Sequence, residues 1–292
     1  MKTIRTVAEM REYVAGARHA GRSIGLVPTM GAFHAGHHSL MRAARERCDV
    51  VIVSLFVNPR QFEEAADLAA YPRDEARDVA EAVELGVDVL YAPDPAEVYP
   101  DGFATSVSVD GLSDILEGAE RGPGHFAGVC TVVTKLLNVV APDVAFFGQK
   151  DAQQVAVLRR MIRDLDIPVA LEVRPTVREH DGLALSSRNG RLSPAERARA
   201  LSLSRSLRAA EDAAARGERD PVALRAAALE AMDGVEPEYL ALVDPDSFEP
   251  VRSADGRVLV AVAARFGATR LIDNTIIQTA ATPQRAPTTQ EE

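Results

Sequence analysis

Three features of the sequence predict an α/β fold in two domains. Short apolar runs recur at 23–27, 50–56 (continuously β-branched), 87–91, 143–147 and 169–173, separated by stretches with helical spacing. Such alternation builds a parallel sheet covered on both faces. Beyond residue 177 the rhythm changes to helix–helix–strand–strand. The chain has 292 residues and is 47% hydrophobic, enough for two buried cores. Residues 1–177 therefore read as a Rossmann-like, doubly wound domain and 178–279 as a smaller α+β lid domain. Residues 280–292, rich in Pro, Thr and Gln without apolar periodicity, read as a disordered tail.

The first helix covers 7–20, with Met10, Tyr13, Val14 and Ala17 on its apolar side. The strand at 23–27 runs into Pro28-Thr29-Met30-Gly31-Ala32-Phe33-His34-Ala35-Gly36-His37-His38, and a helix continues through Leu40, Met41, Ala44 and Arg45. A strand-to-helix turn aims free N–H groups and the positive end of the helix dipole outward, which favours phosphate. Gly31 and Gly36 allow close backbone approach. His34 and His37 share one face if the helix begins near His34. A zinc site is the alternative for three neighbouring histidines, but no Cys or nearby carboxylate completes a ligand set.

The strand at 50–56 ends in Val57-Asn58-Pro59-Arg60-Gln61-Phe62, at the edge where open α/β sheets bind ligands. Tyr71-Pro72-Arg73-Asp74 leads into a helix through Val79, Ala82, Val83 and Leu85, stopped by Gly86. A Pro- and Asp-rich loop spans 93–102. The Gly-rich stretch 118–128, with Glu120-Arg121-Gly122-Pro123-Gly124-His125-Phe126, is expected to be a loop before a helix over 129–140. Gly148-Gln149-Lys150-Asp151 turns from a strand into a helix through Val155, Leu158, Met161 and Ile162, placing a cation where phosphates would gather. The polar segment 176–189 precedes a helix opened by a capping box of Ser193 and Glu196, with Pro194 at the first helical position. That helix extends to about Arg216, and Asp220-Pro221 starts another ending near Gly234. Strands at 239–243 and 258–262 follow, with Asp255-Gly256 turning into the second.

A formal net charge of −10 argues against nonspecific nucleic-acid binding. The two cysteines, Cys48 and Cys130, lie among apolar residues and read as buried thiols of a reducing compartment. No run approaches membrane-spanning length and the first residues lack the apolar core of a signal peptide, so the expectation is a cytoplasmic protein without membrane partners.

His-x-Gly-His after a strand resembles the nucleotide-binding motif of the nucleotidyltransferase superfamily related to class I aminoacyl-tRNA synthetases. The fuller Pro28-Thr29-Met30-Gly31-x-x-His34-x-Gly36-His37 resembles the pantothenate synthetase (pantoate–β-alanine ligase) family. Four more segments match that family in order: Phe56-Val57-Asn58-Pro59-x-Gln61-Phe62, Gly124-His125-Phe126-x-Gly128, Phe146-Phe147-Gly148-x-Lys150-Asp151-x-x-Gln154, and Ser186-Ser187-Arg188-Asn189. The resemblance implies ATP- and Mg²⁺-dependent joining of pantoate to β-alanine through a pantoyl-adenylate, releasing AMP and pyrophosphate, in pantothenate and coenzyme A biosynthesis. It further implies a homodimer formed through the first domain.

By the same resemblance, His34, His37 and Lys150 stabilise the phosphates, and Ser186, Ser187 and Arg188 close over them. Pro28, Thr29, Met30 and Gly36 face ATP from the first turn, Phe147, Gly148 and Asp151 from the second, and Val177 and Leu185 from the last segment. Met30, Asn58, Gln61, His125 and Gln154 hold pantoate, and Asp78 falls near the acidic residue that helps hold Mg²⁺. The family's usual Met stands here as Leu185, and the loop carrying Arg121 is one residue longer than usual. His38 receives no role. A related adenylyl- or cytidylyltransferase would share the His-x-Gly-His turn without needing Gln61 and Gln154. A noncatalytic nucleotide-binding module would not need the full set of His, Lys and Ser-Ser-Arg.

Overall fold

In the computed structural model the described residues are 1–62, 65–122 and 124–279. They divide into two compact units, one ending at Arg191 and the other beginning at Leu192. The tail expected over 280–292 lies outside the described residues.

The first unit is a six-stranded, wholly parallel sheet. Its strands are β1 (Lys2–Ile4), β2 (Ile24–Thr29), β3 (Val50–Leu55), β4 (Val89–Tyr91), β5 (Val144–Gly148) and β6 (Ala170–Arg174), in the order β1-β4-β3-β2-β5-β6. Between them run α1 (Val7–His19), α2 (Ala35–Arg47), α3 (Ala65–Ala69), α4 (Glu75–Glu84), α5 (Pro95–Val98), α6 (Glu117–Arg121), α7 (Gly124–Val140) and α8 (Ala152–Asp164). α2 and the end of α4 close one face: Leu40, Met41, Ala44, Ala82 and Val87 pack with Val27, Val53, Leu90 and Phe146 of the sheet. α1, α7 and α8 pack along one another on the other face. The strand order reverses between β2 and β5, the place where doubly wound sheets open a ligand crevice beyond the strand ends. β2 leads into the histidine turn and β5 into the lysine turn, so the topology brings these two segments together.

Several expectations shift. β1 was not foreseen, and at three residues it carries too little pattern to be read. Val83 is exposed, because the buried side of α4 is formed by Asp78 and Ala82. The stretch read as a Gly-rich loop is largely helical, with α6 running into its start and α7 beginning at Gly124 rather than 129. Its glycines serve close packing: a Cβ on Gly128 would lie 2.2 Å from Arg60 O, and one on Gly118 would lie 1.8 Å from Ser113 O. The two units part at Arg191, later than the change of rhythm near 177. Segment 178–191 folds back on itself through an antiparallel bridge between Arg178 and Ala184 and a hydrogen bond from Leu185 N–H to Val177 O, 2.9 Å.

The second unit holds α9 (Pro194–Ala215), α10 (Pro221–Glu230) and an antiparallel sheet of β7 (Tyr239–Val243), β8 (Arg257–Phe266) and β9 (Thr269–Gln278) in that order. The capping box of Ser193 and Glu196 is present in full. β9 was not expected, since Asp273 and Asn274 interrupt its apolar pattern, yet both are buried. Among the described residues no helix is long and apolar enough to cross a membrane.

Candidate active site

The histidine turn begins where Thr29 ends β2. The Thr29 hydroxyl donates to Ser54 O at 2.6 Å and accepts from Gly31 N–H at 3.2 Å. Gly31 and Ala32 then take positive φ, +85° and +52°. A side chain at Gly31 is excluded twice over, since its Cβ would lie 2.6 Å from Leu55 Cδ1 and 2.8 Å from Asp78 Oδ2. Asp78 holds this bend: its two oxygens accept from Ala32 N–H and Phe33 N–H, each at 2.9 Å, and the residue is 1% exposed. Burial raises its carboxyl above the ordinary range despite those two donors. A carboxylate spent in this way does not fit the Mg²⁺ ligand expected at Asp78, which would have to turn an oxygen toward the ion and its waters.

His34 is the N-cap of α2, its Nδ1 accepting from Gly36 N–H at 3.1 Å. Neutral His34 therefore carries its proton on Nε2 and offers a donor there. The His34 and His37 rings stack with centroids 4.1 Å apart. Burial, with the neighbouring Lys150 and His38, lowers His34 to about 4. Burial, His34 and His38 lower His37 to about 3, and its buried Nδ1 has no hydrogen-bond partner among the described residues. Both rings are thus neutral donors near neutral pH, and the permanent charge comes from elsewhere. His38 turns away and binds Glu81 Oε2 at 2.7 Å, while the other oxygen of Glu81 takes Arg77 at 2.7 Å, tying α2 to α4.

These shifts have a sign that can be measured. Unfolded histidines take up protons near pH 6.5, and the folded rings only near 4 and 3. Below pH 6.5 the unfolded chain binds more protons, so stability falls as pH drops from about 6.5 toward 4. His37→Gln, which cannot titrate, should show a shallower fall in Tm between pH 6.5 and 4.5 than the parent chain. Equal slopes would contradict the depressed value.

Opposite this turn, β5 ends at Gly148, where a Cβ would meet nothing within 4 Å, leaving the backbone open to a ligand. Lys150 Nζ lies 3.6 Å from Asp151. Burial alone would raise the Asp151 carboxyl, but Lys150, Arg121 and Arg188 outweigh it and hold the group below its usual range. Arg121 is set by a 2.8 Å ion pair to buried Glu117, whose N–H donates to Gln153 Oε1 at 3.0 Å. Gln153 Nε2 donates to Leu112 O and Ile115 O, both at 2.8 Å. Burial and the like charge of Arg121 pull the Arg188 guanidinium down, with Asp151 opposing. Lys150, Arg121 and Arg188 thus lie within electrostatic reach of Asp151, with Glu117 as the second carboxylate of the group.

Arg188 sits in a segment with its own bonds. Its N–H donates to Ser186 Oγ at 3.2 Å, and Asn189 Nδ2 donates to Glu179 Oε1 at 2.6 Å and Ala184 O at 3.1 Å. Ser187 is exposed, and Leu185 reaches the histidine turn, with Cδ2 3.8 Å from where a Gly36 Cβ would stand. Pro28, Phe147 and Val177 belong to β2, to β5 and to the stretch just after β6.

The third wall follows β3. Asn58, read as a substrate contact, is 1% exposed and spends its whole amide on protein. Its Oδ1 accepts from Tyr99 O–H at 2.8 Å and Arg60 N–H at 3.3 Å, and its Nδ2 donates to Gln61 Oε1 and Gly128 O, both at 3.1 Å. Gln61 Nε2 then donates to Met30 Sδ at 3.0 Å. His125 Nδ1 is 3.0 Å from Gln61 O, so it is the protonated nitrogen and Nε2 keeps a lone pair. Burial and Arg121 lower His125 to about 4. Gln154 is half-buried in the first turn of α8.

Sequence reasoning missed Tyr71, Tyr99 and Gln153. Tyr71, whose hydroxyl burial pushes up, lies within electrostatic reach of Arg188 and Asp151. Only Gln153 left a trace, since it shares a helical face with buried Ala156 and Val157. Among the described residues no group of three His, Cys, Asp or Glu is placed to hold a metal ion.

A family model described as pantoate-beta-alanine ligase matches residues 2–276. The pantothenate synthetase of Moorella thermoacetica is 52% identical over 281 residues, covering 95% of this chain and 99% of that one. That of Cereibacter sphaeroides is 54% identical over 275 residues, covering 93% and 98%. The crystal structure of the Thermus thermophilus pantothenate synthetase superposes with a TM-score of 0.88 at 46% identity, covering 94% of this chain and 99% of that one. The Francisella tularensis pantoate-beta-alanine ligase, solved with beta-gamma ATP and beta-alanine, gives a TM-score of 0.76 at 33% identity, covering 94% and 97%.

Proposed function

Because the chain belongs to the pantoate–β-alanine ligase family, we propose that its first unit activates pantoate with ATP at the β2/β5 crevice and passes the acyl group to β-alanine. The overall reaction is ATP-dependent condensation of pantoate with β-alanine to pantothenate, with release of AMP and pyrophosphate. A carboxylate will not condense with an amine in neutral water, so it must first acquire a leaving group. A pantoate carboxylate oxygen attacks the α-phosphorus, the bond to the bridging oxygen breaks, and pyrophosphate departs with that electron pair. The β-alanine amine then attacks the acyl carbon, the C–O bond to AMP breaks, and the amine gives up a proton.

Such a transfer asks the protein chiefly for positioning and charge stabilisation. Lys150 and Arg188 meet the growing negative charge. Neutral His34 and His37 add donors at the N-terminus of α2, where the helix dipole works in the same direction. Ser186 and Ser187 close over the phosphates. Pro28, Thr29, Gly36, Phe147, Gly148, Asp151, Val177 and Leu185 line the nucleotide side. Gln61 Nε2 and His125 Nε2 offer pantoate one donor and one acceptor, with Met30 and Gln154 beside them. Neither cysteine is a nucleophile: both are buried, and burial pushes Cys130 up to about 12.

Mg²⁺ belongs to the same proposal as the companion of the ATP phosphates, where it neutralises charge, since Asp78 does not fit as its ligand. A homodimer is proposed on the family resemblance. A cytoplasmic setting is proposed on the two unpaired thiols.

The observation that carries this reading is the stacked pair of neutral imidazoles after β2, with Lys150, at the end of neighbouring β5, within their electrostatic reach. Its test is pyrophosphate–ATP exchange. Exchange should occur with pantoate, ATP and Mg²⁺ while β-alanine is absent, and later addition of β-alanine should release pantothenate and AMP in a burst equal to the enzyme present. Exchange that needs β-alanine would overturn the adenylate-first order, and exchange indifferent to pantoate would overturn the substrate.

A further inference from the structure

Asn58 has no donor or acceptor left for a ligand, which raises the question of what its buried amide does. Two of its neighbours fix its orientation. Arg60 N–H can only donate and Gly128 O can only accept, so Oδ1 must face the first and Nδ2 the second. With Nδ2 also facing Gln61, the Gln61 amide must turn Oε1 toward Asn58 and Nε2 away from it, toward Met30.

Tyr99 completes this set from outside the crevice. Its hydroxyl donates to the remaining lone pair of Asn58 Oδ1 at 2.8 Å. Its ring is held independently, packed against Phe56 at 6.1 Å and Phe103 at 5.1 Å between centroids, with the Arg60 guanidinium 5.5 Å from its centre. Burial pushes the phenol up to about 12, so the group stays a donor at any working pH. The path Tyr99 O–H to Asn58 to Gln61 therefore runs in one direction only, each donor meeting an acceptor.

We infer that Tyr99 is a positioning residue for the acid substrate: Arg60 N–H and Gly128 O set the polarity of Asn58, and the Tyr99 hydroxyl, by taking the second lone pair of Oδ1, holds that amide firmly against Gln61 so that Gln61 keeps its N–H₂ toward the acceptor oxygens of pantoate. The inference rests on the pantoate–β-alanine ligase reading. It adds a residue whose hydroxyl is bonded within the protein, to Asn58. A freely rotating amide at Gln61 would present oxygen as readily as nitrogen, and oxygen would repel a carboxylate.

Tyr99→Phe keeps the ring packing and removes only the hydroxyl. The variant should raise the pantoate KM about 5- to 10-fold, the loss expected for one neutral hydrogen bond. The KM for ATP and kcat should stay within about twofold and the melting curve should stay close to the parent's. A fall in kcat at unchanged pantoate KM, or no change in either, would overturn the inference. The same substitution in a Gln61→Ala background decides whether the effect passes through Gln61. No additional rise in pantoate KM supports the path, while a full additive rise refutes it. Pantoate-dependent exchange by the parent chain is the control that separates failure here from failure of the substrate reading.

Discussion

Replacing Lys150 with Ala should lower pantoate-dependent pyrophosphate–ATP exchange by about 10²–10³-fold, the usual consequence of removing one preorganised donor from developing charge. The ammonium is held beside Asp151 at the carboxyl end of β5, across from two imidazoles that are neutral. The remaining cations nearby, Arg121 and Arg188, do not substitute for it. Arg121 is committed to Glu117, and Arg188 enters from a different segment. The fold should survive, because Lys150 stands outside the apolar core. Lys150→Arg should recover only part of the rate, since a planar fork replaces a compact charge. An Ala variant with parental circular dichroism and near-parental exchange would remove Lys150 from the chemistry.

Gly128→Ala should damage both stability and pantoate binding. The added methyl would stand 2.2 Å from Arg60 O, 2.5 Å from Arg60 C and 2.8 Å from Gln61 N, all backbone atoms. Overpacking of this kind costs about 1–3 kcal/mol or more. The strain lands on the turn that carries Asn58 and Gln61, and on the carbonyl that receives Asn58 Nδ2. Pantoate KM should therefore rise at least about tenfold together with a lower Tm, the scale set by one broken hydrogen bond to the substrate. Gly16→Ala, on the exposed side of α1 with nothing within 4 Å, is the control and should gain about 0.5–1 kcal/mol of helix stability. Parental Tm and KM for Gly128→Ala would show that α7 can withdraw from the turn at no cost.

The parts of this molecule that were legible in the sequence are those encoded locally. Five of the six parallel strands announce themselves as short apolar runs, and the capping box of Ser193 and Glu196 lies within four residues. The histidine and lysine turns could be read because each follows a strand directly. Roles set by distant partners could not. Asp78 reads, by resemblance, as a residue that helps hold Mg²⁺ until its oxygens are found on a turn 45 and 46 residues away. Asn58 reads as a ligand contact until Tyr99 and Gly128, 41 and 70 residues away, claim its amide. Gly118 and Gly128 read as loop formers because glycine is a poor helix residue, and only the neighbouring backbone explains why a helix accepts them. The histidines could be placed at the start of α2 from the sequence, but not their charge state, which burial decides.

The pairing of β2 with β5 also bears on how the chain comes to be made. Ile24 N–H bonds the Asp143 carboxylate, 119 residues further along. A ribosome therefore delivers the histidine turn long before the strand that places Lys150 beside it. Until β5 emerges, β2 has one open edge and fully apolar faces, since Ile24, Leu26 and Val27 are all 0% exposed in the finished fold. Long-range parallel pairing of this sort closes slowly and leaves sticky intermediates. A nascent chain stalled before Val144 thus carries the histidine turn without Lys150 on an unfinished, aggregation-prone sheet, so the proposed site is completed late in synthesis and all at once.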